Sequence, residues 1–286
     1  MHWDSTQVEV RGGGRYLGVI DPVWCLLPHP LGGVVAGLAA RAMEAELGTD
    51  VAHTLRSIHG VFVAPVADGP VEVDVAVLRR GRSMSHLQAT VRNVGSLAGF
   101  TALAVFGGSR RGPDFTQLEF PAVPPPEECR SHREPFPDHV EGDRWPMRFW
   151  EEVADARMAI GLEFWEEGPR DRAEAANWLR LDQDPPVDVA GFVDPIAAIV
   201  LSDIMPSSIF QRIDPAEGRW FAPSVDLTIH PVGPATPGWL LAHYKTHIAH
   251  DGYASIEGSL WDPRGQSGPT LVTWATQQAF FTEVSA

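Results

Sequence analysis

Residues 30–48 read PLGGVVAGLAARAMEAELG, and the fold turns on that stretch. Val34, Leu38, Ala42 and then Ala45 or Glu46 recur at helical spacing; Pro30 and a glycine pair precede the run, and Gly48 stands as its C-cap. One helix is expected there. The period then changes, through SIHGVFVAPV at 57–66, VEVDVAVL at 71–78, SHLQATVRNV at 85–94 and LAGFTALAVF at 97–106. Val71, Val73, Val75 and Val77 alternate strictly and Gly, Pro and Arg mark the turns, so these are four extended runs. A helix followed by hairpin-linked strands predicts an antiparallel sheet wrapped over that helix rather than a parallel α/β layer.

The order recurs further along. An apolar helical candidate around Phe192 to Ile204 precedes RWFAPSVDLTIHPV, WLLAHYKTHIAH, YASIEGSLWD and TLVTWATQQAFF. Helix then about four long strands, twice, predicts a duplicated α+β unit. Between the copies lie Pro113, Pro121, Pro124, Pro125, Pro126, Pro135 and Pro137, accompanied by Glu127, Glu128, Arg130 and Arg133. Proline removes donors and fixes φ, so neither a central strand nor a helix interior fits. The expected organisation is an N-terminal unit at 1–108, a Pro-rich linker at 109–147 and a C-terminal unit at 148–286.

The 286 residues carry 22 Lys+Arg against 37 Asp+Glu, a net charge of −15, with 44% hydrophobic content. Such a chain buries roughly three quarters of its unfolded surface and needs no disulfide or metal staple. Its acidity argues against nucleic acid, which demands clustered Lys/Arg. Met1-His2-Trp3-Asp4 lacks a signal peptide, and Asp194 and Asp203 interrupt the longest apolar run, so no membrane span is expected. Two cysteines, Cys25 and Cys129, do not make a secreted scaffold. The expectation is a soluble, cytoplasmic protein.

Several residues then resemble the type II (TesB-like) acyl-CoA thioesterases, a double hot-dog family. They are His29-Pro30-Leu31-Gly32-Gly33 with Ala36 and Ala39, Pro65, Gly69-Pro70, and Leu78-Arg79-Arg80-Gly81-Arg82-Ser83. In the second half they are Trp220, Ser224 to Asp226, Trp239-Leu240, Asp251-Gly252, Leu260-Trp261-Asp262, Gly265 and Gln277. The resemblance spans most of the chain except the linker and Trp150 to Val189; its specificity lies in the order of the motifs. It implies hydrolysis of a fatty acyl-CoA, or an acyl-carrier-protein thioester, to a free acid, without metal, cofactor or covalent intermediate. The family's water-holding trio of Asp, Ser/Thr and Gln falls on Asp226, Thr246 and Gln277, with His247 as the alternative to Thr246.

Thioester hydrolysis needs an activated water and a seat for charge on the carbonyl oxygen. Asp226 would accept the proton if burial raised its pKa, although it shares strand parity with Ser224, Thr228 and His230 and reads equally as a solvent-facing carboxylate. Gln277 shares parity with Leu271, Ala275, Ala279 and Phe281, an apolar face on which an amide must find partners; Gln278 is its neighbour on the other face. Parity turns Thr246 inward with Leu240, Ala242 and Tyr244. Gly33, with Gly32, offers backbone N–H groups at a helix head to polarise the carbonyl, or simply turns the chain into the helix. Arg79, Arg80 and Arg82 form a basic hairpin turn suited to the negative end of CoA, or else a solvated turn.

Other constellations fail. His243, His247 and His250 do not share a strand face, so no metal is expected. GRSMS and GSLWD lack the G-x-S-x-G elbow, Gly12-Gly13-Gly14 reads as a loop, and Cys25 reads as core. Two rivals stand beside the thioesterase: a non-catalytic acyl-thioester-binding protein, and a hot-dog hydratase, for which His29 is present without an Asp-x-Asn-Pro pattern. Sheet edges that need covering point to a homo-oligomer.

Overall fold

In a computed structural model of the chain, which describes residues 2–26, 28–48, 53–140, 147–214, 218, 220–265 and 267–283, the alanine-rich run forms α1 (Gly32–Leu47). Gly33 to Ala40 are buried without a gap, so the first two turns of α1 are enclosed on every side, while Arg41, Glu44, Ala45 and Glu46 give its last turns an outer face. Gly48 ends it, donating its N–H to the Glu44 carbonyl.

The strands are β1 (Glu9–Gly12), β2 (Arg15–Ile20), β3 (Thr54–Phe62), β4 (Gly69–Arg80), β5 (Met84–Asn93) and β6 (Phe100–Gly107) in the first half. In the second they are β7 (Ala154–Ile160), β8 (Glu174–Leu181), β9 (Trp220–Phe221), β10 (Asp226–Pro231), β11 (Leu240–His250), β12 (Tyr253–Asp262), β13 (Thr270–Phe280) and β14 (Thr282–Glu283). A short α2 (Pro195–Leu201) and a 3-10 turn at Met205–Gln211 precede β9. One 12-stranded sheet runs β1-β2-β4-β5-β6-β3-β10-β13-β12-β11-β8-β7. Read outward from the β3–β10 pairing, its two sides mirror each other strand for strand. The α+β duplication is therefore present, each copy wrapping its own helix.

Each copy nevertheless has a hairpin ahead of its helix that alternation did not reveal. β1 is exposed throughout, so it carries no apolar face to detect. β8 has the opposite problem: Ala175 to Leu179 are buried without interruption, because both faces of that strand are covered. The inner cover is the helical core. The outer cover is the Pro-rich stretch, where Phe120 packs against Trp178 and Trp261, the Trp178 indole donates to the Pro124 carbonyl at 2.8 Å, and Arg157 donates to the Pro126 carbonyl at 2.8 Å. The stretch is thus a strap laid across the sheet; its residues 141–146 lie outside the described part.

α1 and α2 run antiparallel. Gly33 lies against Val200, Gly37 against Ile196, and Arg41 reaches Asp194. The start of α1 therefore meets the end of α2, and the start of α2 meets the body of α1. Among the described residues no helix is long and apolar enough to cross a membrane.

Candidate active site

The first turn of α1 has orphan N–H groups, and its N-cap residue Leu31 makes no side-chain cap. The partner comes from the other copy. Gly33 donates its N–H to Asp203 Oδ2 at 2.9 Å, across 170 residues of sequence. Asp203 follows α2 directly and faces the positive end of α1, where a carboxylate is favoured. Only glycine permits the approach: a Cβ on Gly33 would lie 2.5 Å from the Val200 carbonyl oxygen and 3.0 Å from Asp203 Cβ.

The second carboxylate oxygen is also engaged. Gln277 Nε2 donates to Asp203 Oδ1 at 2.6 Å and to Ser224 Oγ at 2.6 Å, leaving the Gln277 Oε1 acceptor without a partner among the described residues. Asp203 and Gln277 are only 6% and 3% exposed, whereas Ser224 is half-buried. Burial pushes the Asp203 carboxyl up to about 6, against the opposing pull of the Gly33 N–H, the Gln277 amide and the Gly32 N–H. A base of that strength is ionised at neutral pH yet still takes a proton readily. Tyr244 lies on the inner face of β11 with its hydroxyl buried and, among the described residues, unpartnered; burial and then the Asp203 charge hold its phenol well above the ordinary value.

Gln277 is the residue that sequence parity and structure place alike, on the inward face with Ala275 and Ala279. Leu271 leaves that face because the register shifts between Leu260 and Trp261 on the partner strand; it packs under the strap instead. Asp226 is corrected. Leu227 and Ile229 take the core side of β10, so the Asp226 carboxylate points the other way and accepts the Gln278 N–H at 2.8 Å. Thr246 does turn inward, but its hydroxyl meets Ser208 Oγ at 2.8 Å, while His247 faces outward, 3.8 Å from Glu257. Among the described residues neither is hydrogen-bonded to the cluster.

Gly32 and Gly33 are at the site, but the expected carbonyl-polarising role meets an obstacle: the Gly33 N–H is already given to Asp203. The arginines lie by the other end of α1. Arg80 donates to the Leu47 and Glu46 carbonyls at 2.9 and 3.0 Å, capping the C-terminus of α1. With 16 residues in α1 and a rise of about 1.5 Å each, that end sits roughly 24 Å from Gly32. Arg79 and Arg82 belong to the same hairpin between β4 and β5.

Asp203 and Ser224 were not singled out as site residues. A signal existed for the first: a carboxylate inside an apolar helical run has nowhere to be solvated and must find donors in the core. Strand parity grouped Ser224 with Asp226, but Ser224 precedes β10 and its hydroxyl meets Gln277 instead. The opposite helix junction has different chemistry: Asp194 caps α2 by accepting the Ile196 N–H at 3.0 Å, and Arg41 closes on both Asp194 and, at 3.0 Å, Glu44.

Comparison with known proteins follows the same division. Residues 20–107 match the model of the acyl-CoA thioesterase N-terminal domain, and residues 126–281 match that of the C-terminal domain. No curated protein matches the chain. Among solved structures, a conserved protein of unknown function with a hot dog fold from Alicyclobacillus acidocaldarius superposes with a TM-score of 0.78 at 22% identity, covering 99% of this chain and 98% of that one. The acyl-CoA thioesterase II TesB2 of Mycobacterium marinum gives 0.74 at 23% identity, over 100% and 99%. A tesB protein of Mycobacterium avium subsp. paratuberculosis gives 0.73 at 20% identity, over 97% of each chain. At such identities these likenesses speak for the double hot-dog fold alone.

Proposed function

The chain belongs to the acyl-CoA thioesterase family, whose members are thioester hydrolases, and from that premise we propose that it hydrolyses fatty acyl-CoA with a water held by Asp203, Ser224 and Gln277. The observation that carries this reading is the buried Asp203 carboxylate, bonded by Gln277, which in turn bonds Ser224. That set supplies an acid, a hydroxyl and an amide, the chemistry the reaction needs.

In the proposed step, a water donates one proton to Asp203 and the other to Gln277 Oε1, the acceptor left free. As its oxygen attacks the thioester carbonyl carbon, Asp203 takes the first proton and the carbonyl oxygen gains negative charge. Ser224 already accepts from Gln277, so its own O–H is available to that oxygen. Collapse breaks the C–S bond; the proton on Asp203 passes to the departing sulfur, giving the free acid and CoA. The Gly33 N–H serves this cycle indirectly, keeping Asp203 aimed and ionisable. The exposed β1, at one edge of the sheet, supports the further expectation that copies of the chain associate.

The test is thiol release from acyl-CoA by purified protein. Gln277→Ala should lower kcat at least about tenfold, whereas Asp226→Asn should stay near wild type. Activity lost in Asp226→Asn but kept in Asp203→Asn would overturn the assignment.

A further inference from the structure

Phe62 ends β3 and leans over the proposed reacting cluster. Its N–H donates to the Val225 carbonyl at 2.9 Å, one residue from Ser224. The tip of its ring fills the place where Gly32 lacks a side chain: a Cβ on Gly32 would lie 2.4 Å from Phe62 Cζ and 3.0 Å from Asp203 Oδ2. Ring and carboxylate therefore share one small space above the first turn of α1. Behind the ring stands Phe100, its centroid 4.7 Å away and its side chain fully buried. Phe100 is itself held in the room left by Gly60, where a Cβ would come within 2.0 Å of it. Phe62 thus has no path of retreat into the core. Being half-buried where Asp203 and Gln277 are almost wholly enclosed, it forms a wall between the carboxylate and the outside.

We propose that Phe62 is a specificity-determining residue, whose ring fixes the width of the approach to Asp203 and selects acyl groups that are unbranched at the carbon beside the thioester carbonyl. The carbonyl carbon must come within reach of a water on Asp203, so the next carbon of the acyl chain passes along the ring face. A methyl branch at that carbon collides with a ring backed by Phe100 and floored by α1. A straight methylene slides past. The inference rests on the thioesterase reading for its substrate, but its geometric content is a matter of which acyl shape fits.

The experiment compares hexanoyl-CoA with 2-methylhexanoyl-CoA in wild type, Phe62→Leu and Phe62→Ala. The ratio of their kcat/KM values should favour the straight ester in wild type and fall by about tenfold or more in Phe62→Ala, the scale on which pockets discriminate single methyl groups. Phe62→Leu should lie between. General damage to the fold lowers both esters together and leaves the ratio alone, so an unchanged ratio in an active Phe62→Ala overturns the proposal. Binding of the non-hydrolysable thioethers S-hexyl-CoA and S-(2-methylhexyl)-CoA separates this from the underlying reading. Absent thiol release with a straight-chain preference that Phe62→Ala abolishes sinks the hydrolase assignment and upholds the Phe62 wall. Thiol release with equal thioether affinities before and after the substitution does the reverse.

Discussion

Two helix starts meet two helix flanks in this molecule, and they are built in opposite ways. At the start of α1, the cap is a carboxylate from the other copy, Asp203, buried and bonded, among the described residues, by neutral donors. At the start of α2, the cap Asp194 is local and is neutralised at once by Arg41, which also holds Glu44. The strand on the sheet's inner side differs accordingly. β13 presents Gln277, whereas β6, its counterpart across the central pairing, presents Ala102, Ala104 and Phe106. At the first junction the acid meets N–H donors and burial raises its carboxyl; at the second, the Arg41 guanidinium balances the charge of Asp194 and pulls down on Glu44, which burial nonetheless raises. Duplication allowed one junction to become a rivet and the other to stay chemically open.

The contrast breaks first at Asp203. Asp203→Asn should lower kcat by about a hundredfold or more, while Arg41→Met leaves the kcat of the folded fraction within about twofold of wild type. Equal losses in thiol release would show that the junctions are not differentiated. Next, Asp194→Ala removes a cap and one of the two carboxylates on Arg41, which should cost about 1–2 kcal/mol in a denaturant titration without touching kcat.

A third measurement sharpens the comparison through pH. Log kcat/KM should climb with slope near one up to about pH 6, where Asp203 loses its proton, and level off above it. Stability has its own sign here. A carboxyl raised from 3.8 to about 6 in the folded chain contributes stability that is full below its ordinary value and is lost as pH rises through about 6. The unfolding free energy of wild type minus that of Asp203→Asn should therefore fall between about pH 4 and pH 7, and a difference that rises would refute the shift. The smallest effect is expected at Tyr244, whose hydroxyl has no partner among the described residues. Tyr244→Phe should raise stability by about 1 kcal/mol, read as a higher midpoint in denaturant.

Much of this was legible in the residues themselves. The α1 run and the strictly alternating β4 could be read because each has one environment per face and a single period. β8 could not, since a strap covers the side that would have been polar. Gln277 announced itself as an amide on an apolar face, a placement that obliges a partner. Asp226 misled because strand parity tells which side a carboxylate takes but not what meets it there, and what meets it is the Gln278 amide hydrogen. Arg80 shows the limit of charge density as a signal: the cluster suggests an anionic ligand, and the same guanidinium also satisfies the last carbonyls of a helix. Asp203 was visible only as a blemish in an apolar run, and its partners come from segments remote in sequence, which no local pattern reports.

The ladder between β3 and β10, pairing Ile58 with Ile229 and Val61 with Asp226, is where the two copies become one sheet. Were the backbone severed within the strap, each fragment would be left with a bare interior strand as a sticky margin prone to self-association. The amino-terminal fragment would also lose the acid that quiets its helix, and the carboxy-terminal fragment the donors that keep that acid poised. Nicked halves should consequently rescue one another only as a complementing pair, because the proposed site draws on the seam and is whole in neither piece.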